Sequence, residues 1–133
     1  MDDDIISALR DGETRADVLR RIRELIDKGA PPDVLVRACL DSDTSYESIN
    51  AMMISLERIA SVDTDLGLRV MIGLYSVASD TCAHDVGDAI ELWMYHEGTR
   101  KIKTYIDGLR SRKVYPGLER KLSEWSDFLT NRL

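Results

Sequence analysis

Between Asp65 and Ser79 the chain carries Leu66, Leu68, Val70, Met71, Ile72, Leu74, Val77 and Ala78, with only Arg69 and Ser76 as clear polar breaks. Wound as a helix, this run is apolar on nearly every side. Such a helix is stable only when other elements surround it. It therefore predicts a helix in the middle of a core, and the rest of the chain must supply the walls. Elsewhere apolar residues recur at helical spacing, and no stretch alternates with the period of a strand. The expected fold is all-α, with seven or eight helices in stacked antiparallel pairs, either a repeat array or an irregular helical bundle. At 133 residues one domain spanning residues 1–133 is expected.

Capping and breaking residues place the walls. Ile5, Ile6 and Leu9 follow Asp2, Asp3 and Asp4, whose carboxylates suit the positive end of a helix dipole, and Gly12 ends that helix. Thr14, with Asp17 three residues on, predicts the start of a second helix bearing Val18, Leu19, Ile22, Leu25 and Ile26, stopped by Gly29. Pro31 and Pro32 predict the first turn of a third, with Val34, Leu35, Ala38 and Cys39 inward. After a loop at Asp41 to Thr44, Thr44 and Glu47 have capping-box spacing before Ile49, Met52, Met53, Leu56, Ile59 and Ala60. A sixth helix is expected near Asp85 to Glu97, with Val86, Ala89, Ile90, Trp93 and Met94 inward and a break at Gly98 and Thr99. Ile102, Tyr105, Ile106 and Leu109 predict a seventh. A turn at Tyr115, Pro116 and Gly117 precedes the last, with Leu118, Leu122, Trp125, Leu129 and Leu133 on one face.

Asp65-Leu66-Gly67-Leu68-Arg69, followed by Met71-Ile72-Gly73-Leu74, resembles the turn and second helix of a HEAT repeat. Val36-Arg37-Ala38 after Pro32-Asp33 is a fainter copy. The resemblance covers these two short stretches, and what it implies is a binding surface rather than a chemistry.

Few residues speak for catalysis. His84 and His96 are twelve residues apart, three turns on a continuous helix, and cannot share a metal. His84, Asp88, Asp80 and Glu91 could gather around a divalent ion, but the first turn of a helix explains the same carboxylates through capping and dipole terms. His96-Glu97 lacks the second histidine of a zincin motif, and no glycine-rich phosphate loop or serine elbow is present. Cys39 and Cys82 lie in apolar surroundings that suit structural thiols; Met52, Met53 and Met71 would suit an adaptable binding groove, but methionines at helical spacing usually fill core. Trp93 and Trp125 each sit on an apolar stripe, where core packing outweighs a role as partner anchors. A non-enzymatic protein without a cofactor or metal is expected. The acidic start lacks the features of a signal peptide, no segment approaches the ~20 apolar residues of a membrane helix, and two cysteines make no disulfide framework, so the expected setting is cytoplasmic, away from membranes.

Charge then narrows the partner. Residues 1–98 hold 9 basic against 20 acidic side chains, a net of −11, whereas residues 99–121 hold 8 against 2, a net of +6. An acidic body repels nucleic acid, confining any such contact to segment 100–121, where Arg100, Lys101, Lys103, Arg110, Arg112 and Lys113 lie near Tyr105 and Tyr115. Balancing the acidic helices of its own fold is the favoured role of that segment. The acidic residues Asp41, Asp43, Glu47, Asp63, Asp65, Asp85, Asp88 and Glu91 fall at helix junctions, and alternate junctions of stacked pairs can share one rim. A carboxylate patch of this kind accelerates capture of a basic protein. In size, acidity and helicity the chain resembles the immunity proteins that protect toxin-producing bacteria by covering a basic nuclease toxin. The resemblance implies a toxin domain as partner; an adaptor or regulatory subunit of a larger assembly is the alternative.

Overall fold

The computed structural model describes residues 3–97 and 100–132; Asp2, the Gly98–Thr99 break, Leu133 and the side chains of His96 and Glu97 lie outside the described residues. The described chain is helical, with no strand. Its helices are α1 Asp3–Asp11, α2 Ala16–Asp27, α3 Pro32–Leu40, α4 Tyr46–Val62, α5 Thr64–Val77, α6 Asp80–Glu97, α7 Arg100–Ser111 and α8 Glu119–Thr130, with a 3-10 turn at Pro116–Leu118 before α8. None is long and apolar enough to cross a membrane.

As its composition predicts, α5 is central. Leu66, Leu68, Val70, Met71, Ile72 and Leu74 are all buried, and the helix packs against α3, α4, α6 and α7. Two glycines set how closely. A Cβ on Gly67 would stand 2.6 Å from Ala60 Cα of α4, and one on Gly73 would stand 2.6 Å from the Pro32 carbonyl carbon of α3. The neighbouring backbones therefore occupy the space that any larger residue would need. The remaining helices pack in an alternating pattern, α1 on α3 and α4 on α6, while α8 pairs with α7. Buried side chains from every helix join one apolar cluster.

Polar anchors fix the periphery. Tyr75 of α5 meets Trp125 of α8 edge to face at 5.2 Å. Trp125 Nε1 donates to Glu91 Oε1 of α6 at 3.2 Å, and Lys121 Nζ approaches the same oxygen at 3.2 Å. The Tyr115 hydroxyl donates to Asp33 Oδ1 (3.1 Å) and accepts from the Asp33 N–H (3.3 Å), tying the chain before α8 to the start of α3.

Several local expectations shift. Arg15, not Thr14, precedes α2, and it supplies no side-chain cap; the first helical bond runs from Leu19 N–H to the Arg15 carbonyl. The cap of α4 is Ser45 rather than Thr44, its hydroxyl accepting from Ser48 N–H at 3.3 Å. In α3 the buried face is Pro32, Leu35, Val36, Cys39 and Leu40, with Val34 exposed, because the helix meets α5 at Pro32 and its inward stripe is counted from there. Helix α6 starts at Asp80, more than a turn early, because Cys82 extends the Val86, Ile90 and Met94 stripe by one turn.

Two substitutions test this centre. Leu74→Ala should lower the unfolding free energy by about 2–5 kcal/mol in chemical denaturation, the range for deleting a large core side chain. Gly73→Ala should also destabilise, although alanine is the better helix former, because its methyl group meets the α3 backbone.

Candidate functional site

Helices α4 and α6 run side by side in the same direction. Tyr46, Ile49 and Asn50 at the start of α4 line one groove with Cys82, Asp85 and Val86 at the start of α6, and further along both helices Trp93 Nε1 donates to Glu57 Oε2 at 3.2 Å. The antiparallel α5 between them makes this parallel arrangement possible. It brings the loop before α4 and the junction before α6 to one end of the molecule. Asp41, Asp43 and Glu47 therefore share an end with Asp85 and Asp88, all of them exposed.

The loop at that end is tightly organised. Asp41 closes α3 in the left-handed region at φ 49°, a conformation an aspartate tolerates better than most residues, and Ser42 follows at φ 67°. The Asp43 carboxylate accepts from the Ser48 hydroxyl at 2.6 Å and from Ser45 N–H at 3.1 Å. The Ser48 and Ser45 hydrogen bonds lower the Asp43 carboxyl from its ordinary value and so favour its charged form. Among the described residues α6 carries no lysine or arginine. The single basic residue of α4, Arg58, donates to the Asp11 carbonyl of α1 at 3.4 Å.

The remaining acidic candidates are elsewhere and are engaged. Helix α4 has 17 residues, so Asp63 at its other end stands about 25 Å from the Asp43 loop at 1.5 Å per residue. Asp63 caps α5 by accepting from Leu66 N–H at 3.1 Å, and Arg23 of α2 binds both of its carboxylate oxygens at 2.7 Å. Arg23 also bonds Asp65 Oδ2 at 2.9 Å. Arg69 approaches Asp65 Oδ2 at 3.1 Å, pairs with Asp27 at 3.1 Å and lies 4.7 Å over the Tyr105 ring. The Arg69 Nε–H does not align on that oxygen, and Asp65 Oδ1 is buried without a hydrogen-bond partner. These two aspartates latch α2 to α5 rather than forming part of an exposed patch. Glu91 is held by Lys121 and Trp125.

The basic segment is partly spent within α7 and α8. Lys103 and Arg110 both approach Asp107, at 2.7 and 3.8 Å, and Arg112, just past the end of α7, donates to the Gly108 carbonyl of that helix at 3.2 Å. Lys101 lies close enough to Asp63 to favour its charged form. Arg100 and Lys113 are exposed. Of the aromatics proposed to stack on bases, Tyr105 lies under Arg69 and Tyr115 is buried at Asp33.

The candidates for chemistry fall apart in space. His84 reaches only Asp88, at 3.5 Å on the exposed face of α6, and no group of three histidine, cysteine or acidic side chains among the described residues could hold a metal ion. Cys39 and Cys82 are free and buried, and burial pushes the Cys39 thiol up to about 11. Trp125 is core, whereas Trp93 is half-buried along α6. At the level of sequence a methionine-lined groove at Met52, Met53 and Met71 ranked below core filling; the structure puts Met53 in the lining of a groove between α4 and α6. The exposed apolar residues beside it, Tyr46, Ile54 and Leu92, are ones that periodicity had no means to place. Comparison with protein-family models, curated proteins and solved structures returned no match to this chain.

The Arg23 latch gives a pH prediction. Burial opposes ionisation of Asp63, but the Arg23 hydrogen bonds, the Leu66 N–H and the nearby positive charges outweigh it and hold the carboxyl below its ordinary value. A depressed folded pKa contributes stability that is fully present above the unfolded value of about 3.9 and is lost as pH falls through the folded one. Arg23→Met should therefore cost about 1–3 kcal/mol at pH 7. That is less than the ~3–5 of a fully buried pair, because Arg23 and Asp63 stay 29% and 30% exposed. In denaturant titrations the gap between wild type and variant should narrow as pH drops below about 4.

Proposed function

We propose that the chain is a non-enzymatic protein-binding module that captures a basic partner at the end where α4 and α6 begin. In its most specific form it is an immunity protein that covers the functional surface of a basic, nuclease-like toxin domain. The observation that carries this reading is the gathering of exposed carboxylates at that end. Asp41, Asp43, Glu47, Asp85 and Asp88 are exposed at the start of α4 and α6, α6 carries no lysine or arginine among its described residues, Arg58 of α4 turns to the Asp11 carbonyl, and Arg10 of α1 is engaged by the Cys39 carbonyl. Elsewhere several carboxylates meet the protein's own arginines and lysines, as at Arg23, Arg69, Lys103 and Lys121. Leaving like charges together weakens a fold slightly, and it accelerates encounter with an oppositely charged protein.

Capture works here without chemistry. A partner's cationic surface is steered by the acidic end, and the body of the helical array then stands over whatever that surface does. In the basic segment, Tyr105 lies under Arg69 and Tyr115 is buried at Asp33, so neither ring is free to stack on a base.

The test joins binding to inhibition. A stoichiometric partner isolated from the source cells should associate more slowly as salt rises, and Asp41, Asp43 and Glu47 changed together to Lys should slow association at least about tenfold with helix content unchanged. Added in excess, the wild-type chain should abolish nuclease activity of that partner. Tight binding with the partner's activity intact would exclude the immunity role and leave an adaptor.

A further inference from the structure

The face shared by α4 and α6 carries more than charge. Between the helices lies a groove of about 160 Å³ whose floor is Ile49, Met53, Val86 and Ala89 and whose rim holds Glu57 and Asp85. A cavity of roughly 150 Å³ admits a group the size of benzene. Tyr46 at its mouth is 54% exposed, and Ile54 and Leu92, one turn beyond the lining residues Asn50 and Ala89, are 49% and 56% exposed. Purely electrostatic capture has no use for these apolar side chains, which cost free energy in water.

We infer that this groove receives a cationic amphipathic helix of the partner, with one aromatic or branched apolar side chain seated between Met53 and Ala89 and its lysines or arginines facing Glu47, Glu57, Asp85 and Asp88. The inference rests on the acidic-capture reading and adds the shape of what is captured. Two parallel helices leave no free backbone edge for an extended strand, but their groove accepts the ridge of a third helix. Charge complementarity selects its sign, because α6 holds no lysine or arginine among its described residues and Arg58 of α4 is turned to the Asp11 carbonyl. A second copy of the chain is a poor fit. The apolar stripe of its own cationic helix α7, Ile102, Ile106 and Leu109, is already buried.

The probes are three synthetic peptides titrated into the full chain. One is a Leu/Lys peptide with leucines at i, i+3, i+4 and i+7, one a scramble of the same composition that breaks the stripe, and one the striped peptide with Glu in place of Lys. The striped Leu/Lys peptide should bind and shift backbone amide resonances along α4 and α6, with the scramble at least about tenfold weaker and the acidic peptide silent. Ala89→Arg, which fills the groove with a like-charged group, and Leu92→Asp, which changes only an exposed rim residue, should each weaken binding at least about tenfold with unchanged helix content. Equal, salt-sensitive binding of striped and scrambled peptides would overturn the groove and leave acidic capture standing. No binding of either lysine peptide at low salt would overturn both. Self-association in sedimentation that Ala89→Arg abolishes would assign the groove to a second copy and overturn the inference.

Discussion

The arrangement depends on how closely α3 and α4 approach α5. Gly67 and Gly73 remove the side chains that would hold those helices off, so Ala60 and Pro32 pack directly on the central backbone. Dispersion and burial then act over the whole length of a helix that has no solvent-facing side to stabilise it alone. Glycine inside a helix costs about 1 kcal/mol relative to alanine. Here the close contact offsets that cost. Because α5 runs antiparallel between α4 and α6, those two helices are left parallel, and everything at their shared face follows from this.

Charge is distributed by the same geometry. At the α4–α5 corner, Asp63 and Asp65 meet Arg23 and Arg69 in a partly buried network, where each ion is stabilised by neighbours and each would be costly alone. At the far end of α4, Asp43, Glu47 and Asp85 are exposed and outside any such network, and the nearby Arg10 of α1 donates instead to the Cys39 carbonyl. The sequence net of −11 over residues 1–98 thus resolves into a portion paired between helices and a portion exposed on the surface. The basic segment does not cancel the external portion, since Lys103 and Arg110 turn to Asp107 and Lys121 to Glu91.

Local stripes such as Val18, Leu19, Ile22 and Ile26, or Ile49, Met52, Met53 and Leu56, were legible because helical periodicity records which side of a helix faces away from water. Stops were legible where glycine takes a positive φ, 67° at Gly12 and 100° at Gly29. The cap positions fall one residue beyond Thr14 and Thr44: at α4 Ser45 offers the same hydroxyl as Thr44, while at α2 the helix begins after Arg15, which caps nothing, so backbone geometry rather than the capping group sets the start. Val34 was misassigned to the core for a related reason. A short helix with several apolar residues has more than one plausible stripe, and contact with α5 selects one.

The sequence by itself determined an all-helical chain, the central position of α5 and the acidic character of the body, because each is a property of residue type and spacing along one strand of chain. Tertiary structure alone decided which carboxylates pair and which stay free. It set Asp63 and Asp65 against Arg23, forty or more residues away, and put Asp85 beside the start of α4. Pairing and exposure depend on distances through space, and those exist only once α5 has brought its neighbours together.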